Sequence, residues 1–167
     1  MKDLRFAILG TGFWARYQLA AWREVHGAKC IALYNRTSEK AQALAKEFGV
    51  PKVYDSAEQL LHEEKPDFVD IITDASTHSR FVHLAAASRI SVICQKPMAP
   101  SIAEAEQMVA VCAGAGVPFS IHENWRWQAP IRALIQVLDS GGIGTAFRAR
   151  VDYCNSFPVC GSPRPEL

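Results

Sequence analysis

A glycine-rich turn near the start of the chain carries the residues with the clearest chemical meaning. The short apolar run Phe6–Leu9 leads into Gly10-Thr11-Gly12-Phe13-Trp14-Ala15, and a helical pattern follows. In such a turn the first glycine permits a sharp bend, the second lets the backbone approach a pyrophosphate, and the alanine allows close helix–strand packing. The N–H groups at the helix N-terminus attract the anion. This pattern predicts a dinucleotide-binding turn; the alternative is an ordinary strand–helix connection that contains glycine.

The end of the second predicted strand bears on the choice of dinucleotide. Asn35 lies 20 residues after Ala15, about where an acidic residue would bind the ribose 2′-hydroxyl of NAD. Asn35 is neutral and Arg36 follows it; an arginine can pair with the 2′-phosphate of NADP, which an acid would repel. We therefore predict NADP as the preferred cofactor, with NAD as the alternative. Arg36 could instead be a surface residue, or stack on adenine without choosing between the two.

Strands and helices that alternate along the chain must position these residues. Ser56 and Ser101, followed three residues later by Gln59 and Glu104, predict two N-terminal capping boxes. The helix after the glycine-rich turn is predicted to end near Val25. The alternation predicts an α/β fold with a doubly wound parallel sheet. The predicted strands are Phe6–Leu9, Cys30–Tyr34, Pro51–Tyr54, Phe68–Ile72, Ser91–Cys94 and Val117–Ile121.

The pattern changes after the sixth predicted strand. A polar and aromatic loop precedes a helix that begins near Pro130, and Ala146–Tyr153 then alternates strictly between apolar and polar residues. This alternation predicts a half-buried strand of an antiparallel sheet, without a partner strand. We predict a nucleotide-binding domain over residues 1–122 and the start of an incomplete α+β antiparallel-sheet domain over residues 123–155. Residues 156–167 are predicted to form a disordered tail.

Composition narrows the class of protein. Hydrophobic residues make up 49% of the chain and charged residues 21%, with a net charge of +1. Since there is no basic block, neither nucleic acid nor an anionic membrane is an expected partner. No stretch is long and apolar enough to span a bilayer, and the first apolar run ends at Gly10, too early for a signal peptide. The five cysteines fit neither a zinc site nor a disulfide framework, so we expect no metal and a reducing, cytoplasmic location.

The order of several motifs resembles the glucose–fructose oxidoreductase / inositol dehydrogenase (Gfo/Idh/MocA) family. The motifs are Gly10–Ala15, Thr73–His78, Gln95-Lys96-Pro97 and Asn124-Trp125-Arg126-Trp127, and the similarity covers about residues 4 to 157. The resemblance implies a Rossmann domain followed by an antiparallel-sheet domain. It also implies an oxidoreductase that uses NAD or NADP and acts on a sugar, polyol or related small molecule with a hydroxyl or carbonyl group.

Lys96 is the catalytic residue that the resemblance implies. It follows the fifth predicted strand, at the carboxyl edge where ligands bind in open α/β sheets, although this position alone also fits a solvated loop lysine. In the family the corresponding lysine lies near the nicotinamide and the substrate hydroxyl, so Lys96 would polarise the reacting oxygen and help to relay a proton. The family's glutamate is replaced by Gln95, which cannot hold a negative charge beside the lysine.

Other polar residues complete the predicted site. His78 could contact the cofactor, help to close a loop or cap the helix that it opens. Asn124 and Arg126 could reach the nicotinamide carboxamide or the substrate, and the tryptophans beside them could line a pocket or pack between domains. The predicted cofactor-binding residues are Gly10, Thr11, Gly12, Phe13, Trp14, Asn35, Arg36, Thr73, Ala75, His78, Gln95, Lys96, Asn124 and Arg126.

The resemblance ends near Tyr153, before the stretch whose His and Asp complete the family's catalytic site. It therefore implies a truncated member that binds cofactor with little or no turnover. A second interpretation is a non-catalytic nucleotide-binding protein that senses cofactor or modulates a full-length homologue, since the unpaired strand would seek a partner and could join two copies of the chain. A third is a degraded product without a function of its own.

Overall fold

The structure is a computed structural model that describes residues 3–152. Strands and helices alternate as far as residue 121, and two further helical segments follow. The strands are β1 (Leu4–Leu9), β2 (Ala28–Tyr34), β3 (Lys52–Tyr54), β4 (Phe68–Ile71), β5 (Ser91–Cys94) and β6 (Phe119–Ile121). The α-helices are α1 (Phe13–Trp22), α2 (Ser38–Phe48), α3 (Ala57–Glu64), α4 (Ala75–Ala87), α5 (Ile102–Ala115) and α6 (Ala129–Asp139), and Trp125–Trp127 forms a 3₁₀ turn before α6.

The six strands form one parallel sheet in the order β3-β2-β1-β4-β5-β6. This is the predicted doubly wound α/β fold. The winding direction reverses between β3 and β4, so the carboxyl ends of β1 and β4 lie side by side at the centre of the sheet. Phe6 pairs with Phe68 and Leu9 pairs with Ile71 in this register. Open α/β sheets bind ligands at this reversal point.

The core lies on both faces of the sheet. Phe6 and Ile8 of β1 pack with apolar side chains of α1 and α2, whereas Ala7 and Leu9 pack with those of α3, α4 and α5. The alternation follows from the two-residue period of a strand. All four residues of β4 are buried, including Asp70, as expected of a parallel strand that is covered on both sides.

Local sequence signals set most helix ends. The hydroxyls of Ser56 and Ser101 accept the N–H groups of Gln59 and Glu104, as the capping pattern predicts. Gly49 and Gly116 end α2 and α5 in the left-handed conformation that glycine adopts without strain. The predicted end of α1 near Val25 was wrong, because the helix ends at Trp22. Glu24 and Val25 continue the backbone only as a turn, since their N–H groups make i→i−3 bonds to the carbonyls of Ala21 and Trp22.

Of the described residues, those up to Glu123 form one compact unit and those from Asn124 onward form another. In the second unit, Pro130 lies in the first turn of α6, as predicted. The predicted strand from Ala146 is not found in the part that the structure describes: residues 146–152 form no strand, and Phe147 and Val151 are exposed. A strand needs a hydrogen-bonded neighbour, and none of the described residues supplies one. Tyr153 and the predicted disordered tail lie outside the described residues.

In the part of the chain that the structure describes, no helix combines the length and apolarity that crossing a bilayer requires.

Candidate functional site

The glycine-rich turn lies at the carboxyl end of β1, beside the end of β4. Gly10 has φ +103°, and a Cβ at this position would lie 2.9 Å from the Ile72 carbonyl oxygen and 2.9 Å from Thr73 Cγ2. Both the backbone conformation and the close approach therefore require glycine. Gly12 is the N-cap of α1 with φ −75°, and a Cβ there would meet nothing within 4 Å. The space beside Gly12 is open, as a turn that admits a pyrophosphate requires.

Thr11 connects this turn to the end of β2. Its N–H donates to Asn35 Oδ1 at 3.2 Å, and Asn35 Nδ2 donates to the Thr37 carbonyl at 2.9 Å. The Asn35 side chain thus joins the glycine-rich turn to the loop after β2, and Arg36 beside it is exposed. Thr11 Oγ1 is buried and has no hydrogen-bond partner among the described residues. Since a buried hydroxyl is rarely left unpaired, this oxygen is suited to a ligand at the turn.

Phe13 and Trp14 place aromatic rings on the surface at the start of α1. Their centroids are 5.1 Å apart in an edge-to-face arrangement, and Tyr17 one turn later lies 5.3 Å from Phe13 and 5.8 Å from Trp14. All three side chains are about half exposed. The first turn of α1 therefore presents an aromatic surface next to the free N–H groups of its N-terminus.

The loop after β4 supplies the next predicted residues. Asp74 caps α4 by accepting the Ser76 N–H at 3.1 Å, so His78 is not the cap and lies inside the helix, which begins at Ala75. The His78 ring is buried and its Nε2 lies 3.1 Å from the Thr73 carbonyl oxygen. Its Nδ1 lies 3.1 Å from the carbonyl oxygen of Pro97 and 3.2 Å from that of Met98. His78 thus holds the loop after β4 against the loop after β5.

The loop after β5 holds Lys96 at the same edge of the sheet. The Lys96 side chain is exposed, and its backbone N–H donates to Gln95 Oε1 at 2.8 Å. Gln95 Nε2 donates in turn to Gln18 Oε1 on α1 at 3.0 Å. The glutamine that replaces the family's glutamate is therefore a bridge between α1 and the lysine loop.

The sequence analysis missed a buried polar cluster beneath this loop. Asp70 of β4 is fully buried and accepts hydrogen bonds from Gln18 Nε2 at 3.1 Å and 3.3 Å and from Trp22 Nε1 at 2.8 Å. Gln18 Nε2 also lies 2.7 Å from His122 Nδ1, at the end of β6. Burial raises the pKa of Asp70, and the hydrogen bond from Trp22, the charge of His122 and the bond from Gln18 oppose the rise. The signal in the sequence was an aspartate inside an otherwise apolar strand.

Asn124 and Arg126 belong to the second unit. Both are exposed, and the Arg126 guanidinium lies 5.0 Å from the ring centroid of Trp127. This stacking occurs within the 3₁₀ turn itself, and the roles of both residues toward a cofactor remain predictions.

Residues 4–123 match the family model of Gfo/Idh/MocA, which is described as an oxidoreductase family with an NAD-binding Rossmann fold. This range contains every strand of the sheet and all the loops described above up to Glu123. The match confirms the predicted family resemblance and the predicted fold.

Two curated relatives match most of the chain. A D-apiose dehydrogenase from Paraburkholderia graminis is 43% identical over 95% of this chain and 42% of its own length. A D-apiose dehydrogenase from Rhizobium rhizogenes is 40% identical over 95% of this chain and 46% of its own length. The chain thus spans less than half the length of these relatives.

A solved structure shares the fold at similar identity. It is an oxidoreductase from Agrobacterium radiobacter in complex with NAD⁺, L-tartaric acid and magnesium, with 40% identity and a TM-score of 0.84. The superposition covers 86% of this chain and 42% of that protein.

Proposed function

The chain belongs to the Gfo/Idh/MocA oxidoreductase family, and we propose that its first unit binds a nicotinamide dinucleotide for oxidation or reduction of a sugar or polyol. One observation carries this proposal: direct contacts join the three loops that would surround the cofactor. Gly10 packs against Thr73, and His78 links Thr73 to Pro97. Gln18 links α1 to Gln95. The ends of β1, β4 and β5 therefore form one connected edge at the reversal point of the sheet.

The residues at this edge fit the cofactor. Gly12 leaves open space at the N-terminus of α1, where N–H groups and the helix dipole would hold the pyrophosphate. Thr11 Oγ1 offers a buried hydroxyl that the described residues leave unpaired. The loops after β4 and β5, with Thr73, Ala75, Gln95 and Lys96, would hold the nicotinamide half, since the second half of a doubly wound sheet binds that part of the dinucleotide.

Lys96 would act on the substrate oxygen. When bound, the cofactor supplies the acceptor or donor of a hydride. Lys96 Nζ would polarise the hydroxyl or carbonyl oxygen and take up or return the proton that this oxygen exchanges. D-apiose is the first sugar to test, because both relatives described above are D-apiose dehydrogenases.

For the choice of cofactor we retain NADP as the proposal. Arg36 is exposed beside the end of β2, where its guanidinium would pair with the 2′-phosphate of NADP. Asn35 stands at the position where NAD-binding domains have an acidic residue. The neutral amide is engaged with Thr11 and Thr37, so it places no negative charge against a 2′-phosphate. Arg36→Ala is expected to reduce any preference for NADPH over NADH about tenfold, whereas Lys46→Ala, another exposed cation on the end of α2, should leave the preference unchanged.

The test of the proposal is a fluorescence titration of the chain with NADPH and NADH. Trp14 lies at the start of α1 and is about half exposed, so its emission should report a nucleotide at the turn. Saturable quenching by either nucleotide, lost in Gly12→Ala, is the expected result. A folded chain that binds neither nucleotide would refute the proposal. Consumption of NAD(P)⁺ with D-apiose would then test the reaction.

We also propose a reducing cytoplasm as the location. Cys94 and Cys112 are free thiols buried in the core, and burial raises the pKa of Cys94 to about 12. Such thiols are small core residues, in keeping with a compartment where disulfides are rare. Imaging of the tagged protein together with a thiol-trapping assay would test this.

A further inference from the structure

A continuous line of side-chain hydrogen bonds runs from the buried β4 strand to the lysine loop. It begins at Asp70, passes through the Gln18 amide and the Gln95 amide, and ends at the backbone N–H of Lys96. Its four heavy-atom separations lie between 2.8 and 3.3 Å. Asp70, Gln18 and Gln95 come from β4, α1 and the end of β5, so the line crosses the centre of the candidate site.

The direction of every bond in this line follows from Asp70. Both carboxylate oxygens of Asp70 accept hydrogen bonds: Oδ1 and Oδ2 face Gln18 Nε2, and Oδ2 also accepts from Trp22 Nε1. Gln18 must therefore turn its Nε2 toward Asp70, which leaves Gln18 Oε1 facing residue 95. Because this oxygen can only accept, residue 95 must donate.

A glutamine at position 95 meets this requirement and a glutamate does not. Gln95 donates through Nε2 to Gln18 and accepts the Lys96 N–H through Oε1. An ionised glutamate would place its second oxygen against Gln18 Oε1, with no proton between them. His122 cannot relieve the conflict, because its Nδ1 faces the Gln18 nitrogen, 2.7 Å away, and not Gln18 Oε1.

We propose that Asp70 and Gln18 are positioning residues that require an amide at position 95 and thereby fix the Lys96 peptide beside the nicotinamide half of the cofactor. The inference rests on the proposed function, since it assigns the nicotinamide to the loop after β5. Gln95, which stands where the family's motif has a glutamate, meets this requirement. Neither Asp70 nor Gln18 touches the reacting atoms; they act through Gln95.

The test compares NADH with ADP-ribose, which lacks the nicotinamide. Gln95→Glu is expected to weaken NADH binding about tenfold while ADP-ribose, held by the glycine-rich turn, changes less than about twofold. Gln95→Met removes the hydrogen bonds without adding charge and should weaken NADH binding about threefold. Gln107→Glu, at an exposed position of α5, adds the same charge outside the line of hydrogen bonds and should change neither affinity. Urea unfolding identifies the variants that are folded under the binding conditions.

A double substitution provides the decisive result. In D70N/Q95E both bonds of the Gln18 amide can reverse: the new amide on β4 donates to Gln18 Oε1, and Gln18 Nε2 donates to the new carboxylate after β5, which still accepts the Lys96 N–H. His122 then presents its Nδ1 proton to Gln18 Oε1 in the other tautomer. We expect Asp70→Asn alone to weaken NADH binding, and the double variant to bind NADH within about threefold of wild type.

Three outcomes would overturn the inference. They are wild-type NADH affinity in Gln95→Glu, a double variant no better than the worse single variant, and an equal loss for ADP-ribose and NADH. If Gln95→Glu does not fold, Gln95→Met and the double variant still decide the matter. A wild-type chain that binds neither NADH nor ADP-ribose would refute the proposed function itself, and this is seen before any variant is made.

Discussion

Replacing Gly10 by alanine should destabilise the fold, whereas the same change at Gly12 should weaken nucleotide binding without destabilising the fold. The two glycines are two residues apart in one turn, yet their surroundings differ. Gly10 has φ +103°, and its Cβ would lie 2.9 Å from the Ile72 carbonyl oxygen. Gly12 has φ −75° and open space around its Cβ position. The pair therefore separates the structural role of the turn from its role in binding.

The cost at Gly10 has two sources. An alanine held at this positive φ costs about 1–3 kcal/mol. The Ile72 carbonyl cannot move away easily, because the Ile72 N–H is bonded to the Leu9 carbonyl at 2.8 Å, and overpacking of this kind costs about 1–3 kcal/mol. The sum of about 2–6 kcal/mol is a large part of the free energy of unfolding of a typical domain, which is about 5–15 kcal/mol. At Gly12 the ordinary φ predicts no loss of stability for alanine. Because alanine also lowers the conformational entropy of the unfolded chain, the free energy of unfolding should rise by about 0.4–1 kcal/mol.

The assay is urea unfolding followed by far-UV circular dichroism, combined with an NADH titration of each folded variant. Gly114→Ala is the matched control: it lies in α5, and its Cβ would meet nothing within 4 Å. It should be as stable as wild type or more so and bind NADH normally. The reasoning fails if Gly10→Ala unfolds within about 0.5 kcal/mol of wild type, or if Gly12→Ala binds NADH with unchanged affinity.

Three further substitutions or measurements test other parts of the structure. Burial favours a raised pKa for Glu64, but hydrogen bonds from Lys52 and Tyr54 outweigh it and hold the pKa below its usual value; Glu64→Gln should therefore cost about 1–3 kcal/mol at pH 7. Because the folded pKa is the lower one, this cost should disappear as the pH falls below about 4, and a pH-independent difference in urea unfolding would contradict the ion pair. Burial raises the pKa of Cys94 to about 12, so peptide mapping after treatment with a thiol reagent should find Cys94 unmodified until urea unfolds the chain; modification of the folded protein would show that the thiol is accessible. Lys96→Ala, at an exposed position, should leave the unfolding midpoint unchanged and lower the small sugar turnover expected of this chain about 10²–10⁴-fold, to background, and an equal loss of turnover in Lys46→Ala would refute a specific role.

The fold could be predicted from the sequence because its signals are local. Apolar runs and the capping serines each depend on a few neighbouring residues, and the structure confirms them. The end of α1 was predicted three residues too late because its apolar spacing continues through a turn that is no longer α-helical. The strand predicted from Ala146 was wrong over its described residues, since alternation indicates a face but does not supply a neighbouring strand.

The candidate site was only partly predictable, for a physical reason. The Gly10–Ala15 turn and Lys96 carry recognisable motifs in single short segments. The polar cluster instead depends on contacts between residues that lie far apart in the sequence, separated by 52 and by 77 positions. Local spacing along the chain does not predict such pairs. His78 shows the same limit: its position left open a cofactor contact, a role in closing a loop or a helix cap, and only the fold shows that it joins the loops after β4 and β5.

The buried carboxylate of Asp70 also argues against a purely structural role for the polar line. Removing a carboxylate from water costs several kcal/mol, and apolar residues of similar volume often replace buried polar groups without loss of stability. Proteins retain such groups where function needs them, at a cost in stability. Asp70→Leu combined with Gln18→Leu should therefore leave the chain folded and ADP-ribose bound, while NADH binding weakens because Gln95 has lost its acceptor. If this variant unfolded, the hydrogen bonds would serve the fold, and if it stayed folded and bound NADH like wild type, they would not position the lysine loop.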